Sequence, residues 1–593
     1  MDGFYGRILK IDLGKRNFSI EKIEDETLAS YPGGKALASF LLFSQNPAGV
    51  DPLSPDNRLI FASGPVSGGP VWGSSRYGVF TKSPQTGFYS ESYAGGKTPE
   101  ALDAAGFDAI VISGRSPSPI ALTVSPEGAK FHDAAGMWGM DAYEAEDAMK
   151  ARFSGAGGPE QKSGAVVIGP AGENLVRFAA IGNDYWRSAG RTGAGTVMGA
   201  KKLKGVLFSG GMKRPVHDLQ ALKDFSRKVS RESRKNPVVV EFSRHGTAKM
   251  LAPLAKIGGV PSKGWGSGEF SGWEGLTAQA LHRRCDVKPR ACARCFIACG
   301  RMTRALKGRH AGLELEGPEY ETLFAFGGLC LIKEIEEILY LNDLCDRLGM
   351  DTISAGSLCA LAIEASAKGR TDFKISYGDP DGAARLLEMI AKRQGVGDIL
   401  AQGIRFAASR WGMEDMAVHV KGLELPGYDP RVLKGSALAF AVSHRGACHL
   451  RATFHSPEIS GAVPRDEIEG KAALLIDYED RMALMDCMIL CRFYKEIYGW
   501  SEMSALFEMT AGVRWDESAL RKKAARLADL IRRFNIREGL VPEDDRLPDR
   551  LHRERLKDGR GITRRELAFM VADYYRLRGW DKDGAPPPEG GEP

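Results

Sequence analysis

The chain has 593 residues, 43% of them apolar and 26% charged, and a net charge of +6 at pH 7. That length exceeds what one hydrophobic core supports and predicts two to four domains of ordinary globular composition. No run approaches the roughly 18 apolar residues of a membrane span, and the opening MDGFYGRILKIDLGKRN lacks the apolar stretch of a signal peptide, so the expected location is cytoplasmic.

Residues 1–210 read as β-rich. GRILKIDL and NFSIEKI flank a GKR turn as a hairpin, and RLIFASGP, RYGVFTKSP, DAIVISG, IALTV, AVVIGP and GVLFSGG follow as short strands, each ended by Gly or Pro. After GGMKRPVHD the apolar period lengthens. LQALKDFSRKVSRESRKN, KEIEEILYLNDLCDRLG, SAGSLCALAIEASAKG and GAARLLEMIAKRQG carry helical spacing. The expected fold is α+β: a β-rich N-terminal domain (1–210), then two mainly α-helical domains (211–415 and 416–580), with irregular loops at GLELPGYDPRVLKG and SHRGACHLRATFHSPE. The Pro- and Gly-rich tail, 581–593, is expected to be disordered.

ACARCFIACGR, residues 291–301, places Cys292, Cys295 and Cys299 at C-x₂-C-x₃-C spacing. With no export signal, the cysteines read as reduced thiols and ligands. Three thiols this close suit a zinc ion or an iron–sulfur cluster, and either needs a fourth ligand from elsewhere. Around them, residues 281–310 hold nine Lys or Arg (such as Arg283, Arg304 and Lys307) against one acid, Asp286. Such a stretch reads as a solvated face, or as a collar that balances an anionic cluster and docks an acidic redox partner. Nucleic acid is the weakest reading, because Phe296 is the only aromatic ring there. Two related hexads also occur, DRLGMD (Asp346 to Asp351) and DCMILC (Asp486 to Cys491), each at the end of a helical segment. A carboxylate can accept two parallel N–H bonds from an amidine-like edge, so the pair could hold two copies of one heterocycle. Cys491, closing the second hexad, is the best fourth thiolate.

Together these segments resemble the tungsten-containing aldehyde:ferredoxin oxidoreductase family. YGRILKIDL, SSRYGVFTKSPQTGFY and RSAGRTGAGTVMGAKKLKG look like its first domain, and CARCFIAC, GPEYETL, DRLGMD, RGACHLR and DCMILC follow in its order, from about residue 1 to about 580. The resemblance implies that the β-rich domain carries tungsten held by the dithiolenes of two pterins, with a Mg²⁺ ion bridging the pterin phosphates. It implies a [4Fe–4S] cluster on Cys292, Cys295, Cys299 and Cys491. It further implies Asp346 and Asp486 on the pterins, Asp351 either at a pterin or at a helix end, Arg76 between cluster and pterin, Arg187 among the cofactor-binding residues, and Gly95, Gly96, Gly193 and Gly195 where backbone amides approach phosphates. Glu321 matches the family's acid/base, with a raised pKa expected from burial, and His449 matches a donor to the substrate oxygen, expected to titrate near neutrality. The implied activity is oxidation of a small aldehyde to its acid. Electrons would pass to ferredoxin or an iron–sulfur subunit, and assembly stays open between a homodimer and a hetero-oligomer.

Rivals stand beside several of these. Glu319 competes with Glu321, and His444 with His449. Cys330 offers a thiolate to tungsten, as in the branch that reduces aromatic rings on coenzyme A thioesters, the alternative function. Phe296 stands where many members carry proline, and PSKGW, with Gly264, departs from the family's usual segment near the substrate funnel.

Overall fold

The computed structural model of the protein describes residues 1–154 and 161–588. Every segment read as a strand in the first 210 residues forms one: Arg7–Asp12 and Asn17–Lys22 pair as the expected hairpin, and Leu59–Ala62, Tyr77–Lys82, Ala109–Ser113, Ile120–Ser125, Lys162–Val167 and Leu203–Gly210 follow. Four strands not read from the sequence, Tyr89–Ala94, Gly128–Asp133, Ile181–Asn183 and Arg187–Ala189, complete two six-stranded sheets. The first sheet runs 17–22, 7–12, 109–113, 59–62, 77–82, 89–94 across its width, and the second 187–189, 181–183, 162–167, 203–210, 120–125, 128–133. The two share one apolar core, in which Leu9, Phe61 and Ile112 meet Leu122, Val166 and Phe208. Tyr89–Ala94 escaped notice because its polar residues Ser90, Glu91 and Ser92 are all buried. Alternation marks a strand only where polar means solvent-facing.

The four stretches with helical spacing form Leu219–Ser233, Ile335–Leu348, Thr352–Ala367 and Pro380–Lys392. One apolar core spans both helical portions, joining Leu339 and Leu387 to Leu438 and Tyr574. The long helix Glu517–Arg537 then returns to the first sheet, where Leu527, Leu530 and Phe534 pack with Leu37, Phe80 and Tyr89. Inside the helical region His419–Val420 pairs with Leu423–Glu424, and Cys285–Arg290, Gly300–Ala305 and Glu314–Glu316 make a small antiparallel sheet. Its many charges hid it. Part of the tail expected to be disordered is tied down: Arg532 Nε donates to Gly584 O (2.8 Å), and Asp581 N–H to Ala585 O (3.0 Å), while residues 589–593 lie outside the described residues. Among the described residues no helix is long and apolar enough to cross a membrane.

The end of helix Lys471–Cys487 is seated directly on the N-terminal domain by glycines. A Cβ at Gly34, whose φ is +38°, would overlap the carbonyls of Asp486 and Cys487, and one at Gly64 would overlap that of Met488. Gly64→Ala should therefore push the second hexad off its seat, costing roughly 1–3 kcal/mol as overpacking does. The thermal midpoint of Gly64→Ala should fall, while that of Gly136→Ala, where a Cβ meets nothing within 4 Å, should match the parent. Equal midpoints would refute the close seating.

Candidate cofactor and active site

The cysteine triplet is the loop between the paired strands Cys285–Arg290 and Gly300–Ala305. That loop is pinned to the N-terminal domain at Gly73, whose N–H donates to Arg294 O (2.6 Å) and whose carbonyl accepts from Cys491 N–H (2.9 Å). One glycine thus brings the triplet and the second hexad together, and Cys295, Cys299 and Cys491 pack against the same apolar cluster. Cys285 lies instead in the helical core, where burial pushes its thiol up to about 11. Burial raises Cys292, Cys295 and Cys299 as well, and each feels the charge of Cys491. Among the described residues no group of three His, Cys, Asp or Glu is arranged to hold a metal ion as the side chains stand. Tyr494 O–H reaches Cys295 Sγ at 3.5 Å, and Arg187 pairs with Glu316 while facing Cys292 and Cys299.

The glycines expected at phosphates have other work. Gly96 N–H donates to Cys292 Sγ (3.2 Å), and a Cβ at Gly95 would come within 2.9 Å of the same sulfur. At Gly193 and Gly195 a side chain would run into Arg177 O and Ala180 O, and Gly195 N–H is already taken by Ala179 O. Close packing of backbone and thiol accounts for all four.

Beside the thiols, between the sheets and the helices, lies a cavity of about 1010 Å³. Arg76, Tyr93 and Arg191 face it from the first domain, Glu321, Asp346 and Asp351 from the second, and Arg445, His449, Arg451 and Arg492 from the third. Arg76, Arg191, Arg445, Arg451 and Arg492 each keep a buried nitrogen with no hydrogen-bond partner among the described residues. Each unpaired buried polar group costs about 1–3 kcal/mol. Five in one wall mark a place built for a polar, negatively charged occupant. Asp346 complements them: its carboxyl accepts only from Asn342 Nδ2 (2.7 Å), and burial, with Asp343 nearby, raises its pKa well above the ordinary value. It is a buried acceptor awaiting donors. Asp486 does not line the cavity. Arg451 (3.3 Å) and Arg492 occupy its carboxylate and face the cavity in its place, so the two hexads are not equivalent. Asp351 caps helix Thr352–Ala367 through Ser354 N–H (3.1 Å). A paired-pterin cofactor, with hydrogen-bonding edges and anionic phosphates, fits this donor and acceptor set.

Glu321 stands in the first turn after Glu319, just before the π-helical turn Leu323–Leu329. Its Oε2 accepts from Gly427 N–H (3.0 Å); its Oε1 is unpartnered and lies 3.6 Å from His449 Nδ1, also unpartnered. Burial raises Glu321 to about 8, against the opposing Gly427 hydrogen bond and Arg191. Burial, then His455, Arg191, Arg445 and Arg451, push His449 well below its ordinary value. Burial and these charges thus act against a His449 that titrates near neutrality, while burial moves Glu321 toward that range. Glu319 lines the same cavity as Glu321 but is exposed and hydrogen-bonded to Thr247, and His444 lines a separate small cavity with Lys35 and Glu479. Cys330 is turned into the helical core, within 3.5 Å of Ala325 O and 3.4 Å of Gly356 O, and does not line the main cavity. Sequence reasoning missed Cys448, fully buried against Arg445 Nη2 (3.0 Å), whose thiol the surrounding arginines bring down to about 6 against the cost of burial. Its neighbours Arg445 and Arg451 in RGACHLR were the available signal.

A thiol nest a few residues from a large cavity walled by unpartnered arginine N–H groups is the layout of a cofactor-dependent oxidoreductase. The family model described as the N-terminal domain of aldehyde ferredoxin oxidoreductase matches residues 8–210, and that of its domains 2 and 3 matches residues 224–591. The tungsten-containing aldehyde ferredoxin oxidoreductase of Pyrococcus furiosus is 35% identical over 604 residues, covering 99% of this chain and 98% of its own length. That of Thermococcus kodakarensis is 35% identical over 609 residues, covering 100% and 99%. An aliphatic sulfonate oxidoreductase, WOR-like subunit, of Pyrococcus furiosus is 27% identical over 633 residues, covering 99% and 96%. Among solved structures, the active site complex BamBC of benzoyl coenzyme A reductase shares the fold, with a TM-score of 0.83 at 22% identity over 99% of this chain and 96% of that one. The chain belongs to the aldehyde ferredoxin oxidoreductase family.

Two variants test the thiol nest. Cys491→Ala should lose iron and the broad visible absorbance of an iron–sulfur protein, whereas Cys285→Ala should keep both. The reverse result would mean that another thiol closes the site. Asp346→Asn exchanges one acceptor oxygen for a donor, at about 1.5–3 kcal/mol per charged hydrogen bond lost, and pterin content should fall; full occupancy would refute the contact.

Proposed function

We propose that this chain is a tungsten-pterin enzyme that oxidises small aldehydes to carboxylic acids and passes the electrons to a ferredoxin-type acceptor. The observation that carries this reading is the unpartnered Glu321–His449 pair inside the arginine-walled cavity beside the four thiols. When bound, a tungsten bis-pterin supplies the two-electron sink and a Lewis acid, and a [4Fe–4S] cluster on Cys292, Cys295, Cys299 and Cys491 passes the electrons on singly. Asp346 accepts from a pterin edge, and Asp486 aligns Arg451 and Arg492 toward it. Arg76 spans the gap between the Gly73 turn and the cavity. A Mg²⁺ ion between the pterin phosphates belongs to the same reading.

The protein's own part is to hold the aldehyde and move a proton. Val238, Phe242, Met250 and Phe493 line the apolar side of the cavity, suiting a small hydrophobic aldehyde. His449, held neutral, offers a ring N–H to the substrate carbonyl. Water must add to that carbon and give up a proton, and Glu321 in its ionised form accepts it. Electrons leave toward the thiol loop, where Arg283, Arg304 and Lys307 are exposed and suit an acidic carrier. All ten cysteines are free, which suits a reducing cytoplasm. A ring reductase of the benzoyl coenzyme A type is disfavoured by the inward turn of Cys330.

Glu321→Gln should lower aldehyde-dependent reduction of a viologen dye by about 10²–10⁴ with metal content unchanged. In the parent, oxidation needs ionised Glu321, so turnover should rise with pH to a plateau above about 8. That limb should vanish in Glu321→Gln and persist, at lower turnover, in His449→Asn. If Glu319→Gln is dead while Glu321→Gln stays within about threefold of the parent, the wrong carboxylate has been assigned.

A further inference from the structure

Behind the cavity wall lies a second acid/base network that the reaction above does not use. Ser354 Oγ is 2.9 Å from Asp351 Oδ2 and 2.7 Å from Glu424 Oε2, and the Gln85 amide, with two protons, donates to Ser354 Oγ at 3.2 Å and to Glu424 Oε2 at 2.8 Å. A hydroxyl carries one proton and two lone pairs. Its one proton can satisfy one of the two carboxyl contacts, so the other must be made by a carboxyl that brings its own. With Glu424 protonated, Ser354 accepts from Glu424 and Gln85 and donates to Asp351, and every contact holds a proton. Glu424 is the proper home for it. Glu424 has no exposed surface, its nearest cation contact is Arg191 at 3.8 Å, and its Oε1 is unpartnered. Asp351, by contrast, has Ser354 N–H at 3.1 Å and Arg191 Nε at 3.4 Å beside its carboxyl. Burial moves Glu424 up to about 7, with Arg191 opposing. Asp351 lines the same cavity as Glu321, and their neighbours Thr322 and Thr352 hydrogen-bond each other at 3.0 Å.

We propose that Glu424 is a proton store for this site, delivering its proton through Ser354 to Asp351 at the cavity wall. In one concerted shift the Ser354 O–H bond breaks as the proton moves to Asp351, and the Glu424 O–H bond breaks as its proton moves to Ser354. Two O–H bonds are lost and two formed. Asp351 ends as the acid and Glu424 as the carboxylate, and a proton has reached the cavity from a group with no exposed surface. The reverse shift removes a proton released there. Aldehyde oxidation liberates two protons and Glu321 accepts only one. The second can pass from Asp351 through Ser354 to Glu424 once the store has delivered its own proton and Glu424 is ionised; this part rests on the function proposed above.

Infrared spectroscopy of the full-length protein, with and without cofactor, tests the store separately from catalysis. Glu424→Gln should remove one protonated-carboxyl C=O stretch, one that shifts on exchange into D₂O. Ser354→Ala should keep that band but move it, since its hydrogen-bond acceptor is gone. A spectrum unchanged by Glu424→Gln would show that the group is ionised and overturn the proposal. In the metal-replete enzyme both variants should lower turnover about tenfold and alter the solvent isotope effect, at unchanged tungsten and iron content. Turnover and isotope effect unchanged in Ser354→Ala would overturn the relay. If no aldehyde is turned over by any form, the proposed function fails and the infrared result still decides the store.

Discussion

The site hangs on one buried carboxylate, Glu91. It has no exposed surface and sits on a strand of the first sheet, yet it meets Lys35 (3.0 Å) from its own domain and Arg451 (2.5 Å) from the third. Arg445 donates to its backbone carbonyl, and Tyr93 O–H to its other oxygen (2.7 Å). Burial alone would raise its pKa, but Arg451, Lys35 and Arg445 hold it well below the ordinary carboxylate range. Arg451 then reaches Asp486, which also holds Arg492. Removing one partner from such a network strands the rest as unpaired buried charge, a penalty of about 3–5 kcal/mol. The network fixes how the third domain meets the first, and so which arginines face the cavity.

That placement explains why the cavity and the thiol loop are adjacent. The segment from Asp486 to Cys491 leaves one helix end, and its two ends serve two purposes: the aspartate aligns two arginines toward the cavity, and the cysteine turns to the thiol loop. Gly34 and Gly64 let it lie flat on the first domain, and Gly73 joins it to the cysteine hairpin. A short rigid link of this kind would hold the proposed cofactor and cluster at constant separation, which a flexible linker would not give.

What was legible in the sequence was whatever chemistry is local. The C-x₂-C-x₃-C loop, the hexads, and the strands with apolar faces needed only their own spacing. Tyr89–Ala94 was not legible, because its buried polar side chains serve the charge network and so break the pattern that reveals strands. The hairpin carrying the thiols was hidden by its charges for the same reason. Asp486 looked equivalent to Asp346 by motif, and only the folded chain shows arginines from two other segments closing over it. The titration of His449 was likewise out of reach: three arginines and His455, all distant from the imidazole in chemistry though some are near it in sequence, decide its charge once folding buries them together.

Glu321 and His449 lie 3.6 Å apart, a distance at which a carboxylate and an imidazolium would form an ion pair. The pair is not ionic. Burial disfavours the charged form of each group, raising the acid and lowering the base. The arginines around His449 oppose a positive ring still more, so at pH 7 the proton rests on Glu321 and both groups are neutral. An anionic occupant of the cavity adds a negative charge, which holds the proton on Glu321 more firmly. The carboxyl therefore begins as an acid. Reduction of a carbonyl could use it at once, whereas oxidation must wait for its proton to leave. An exit for that proton is then as much a part of the site as the residue that takes it.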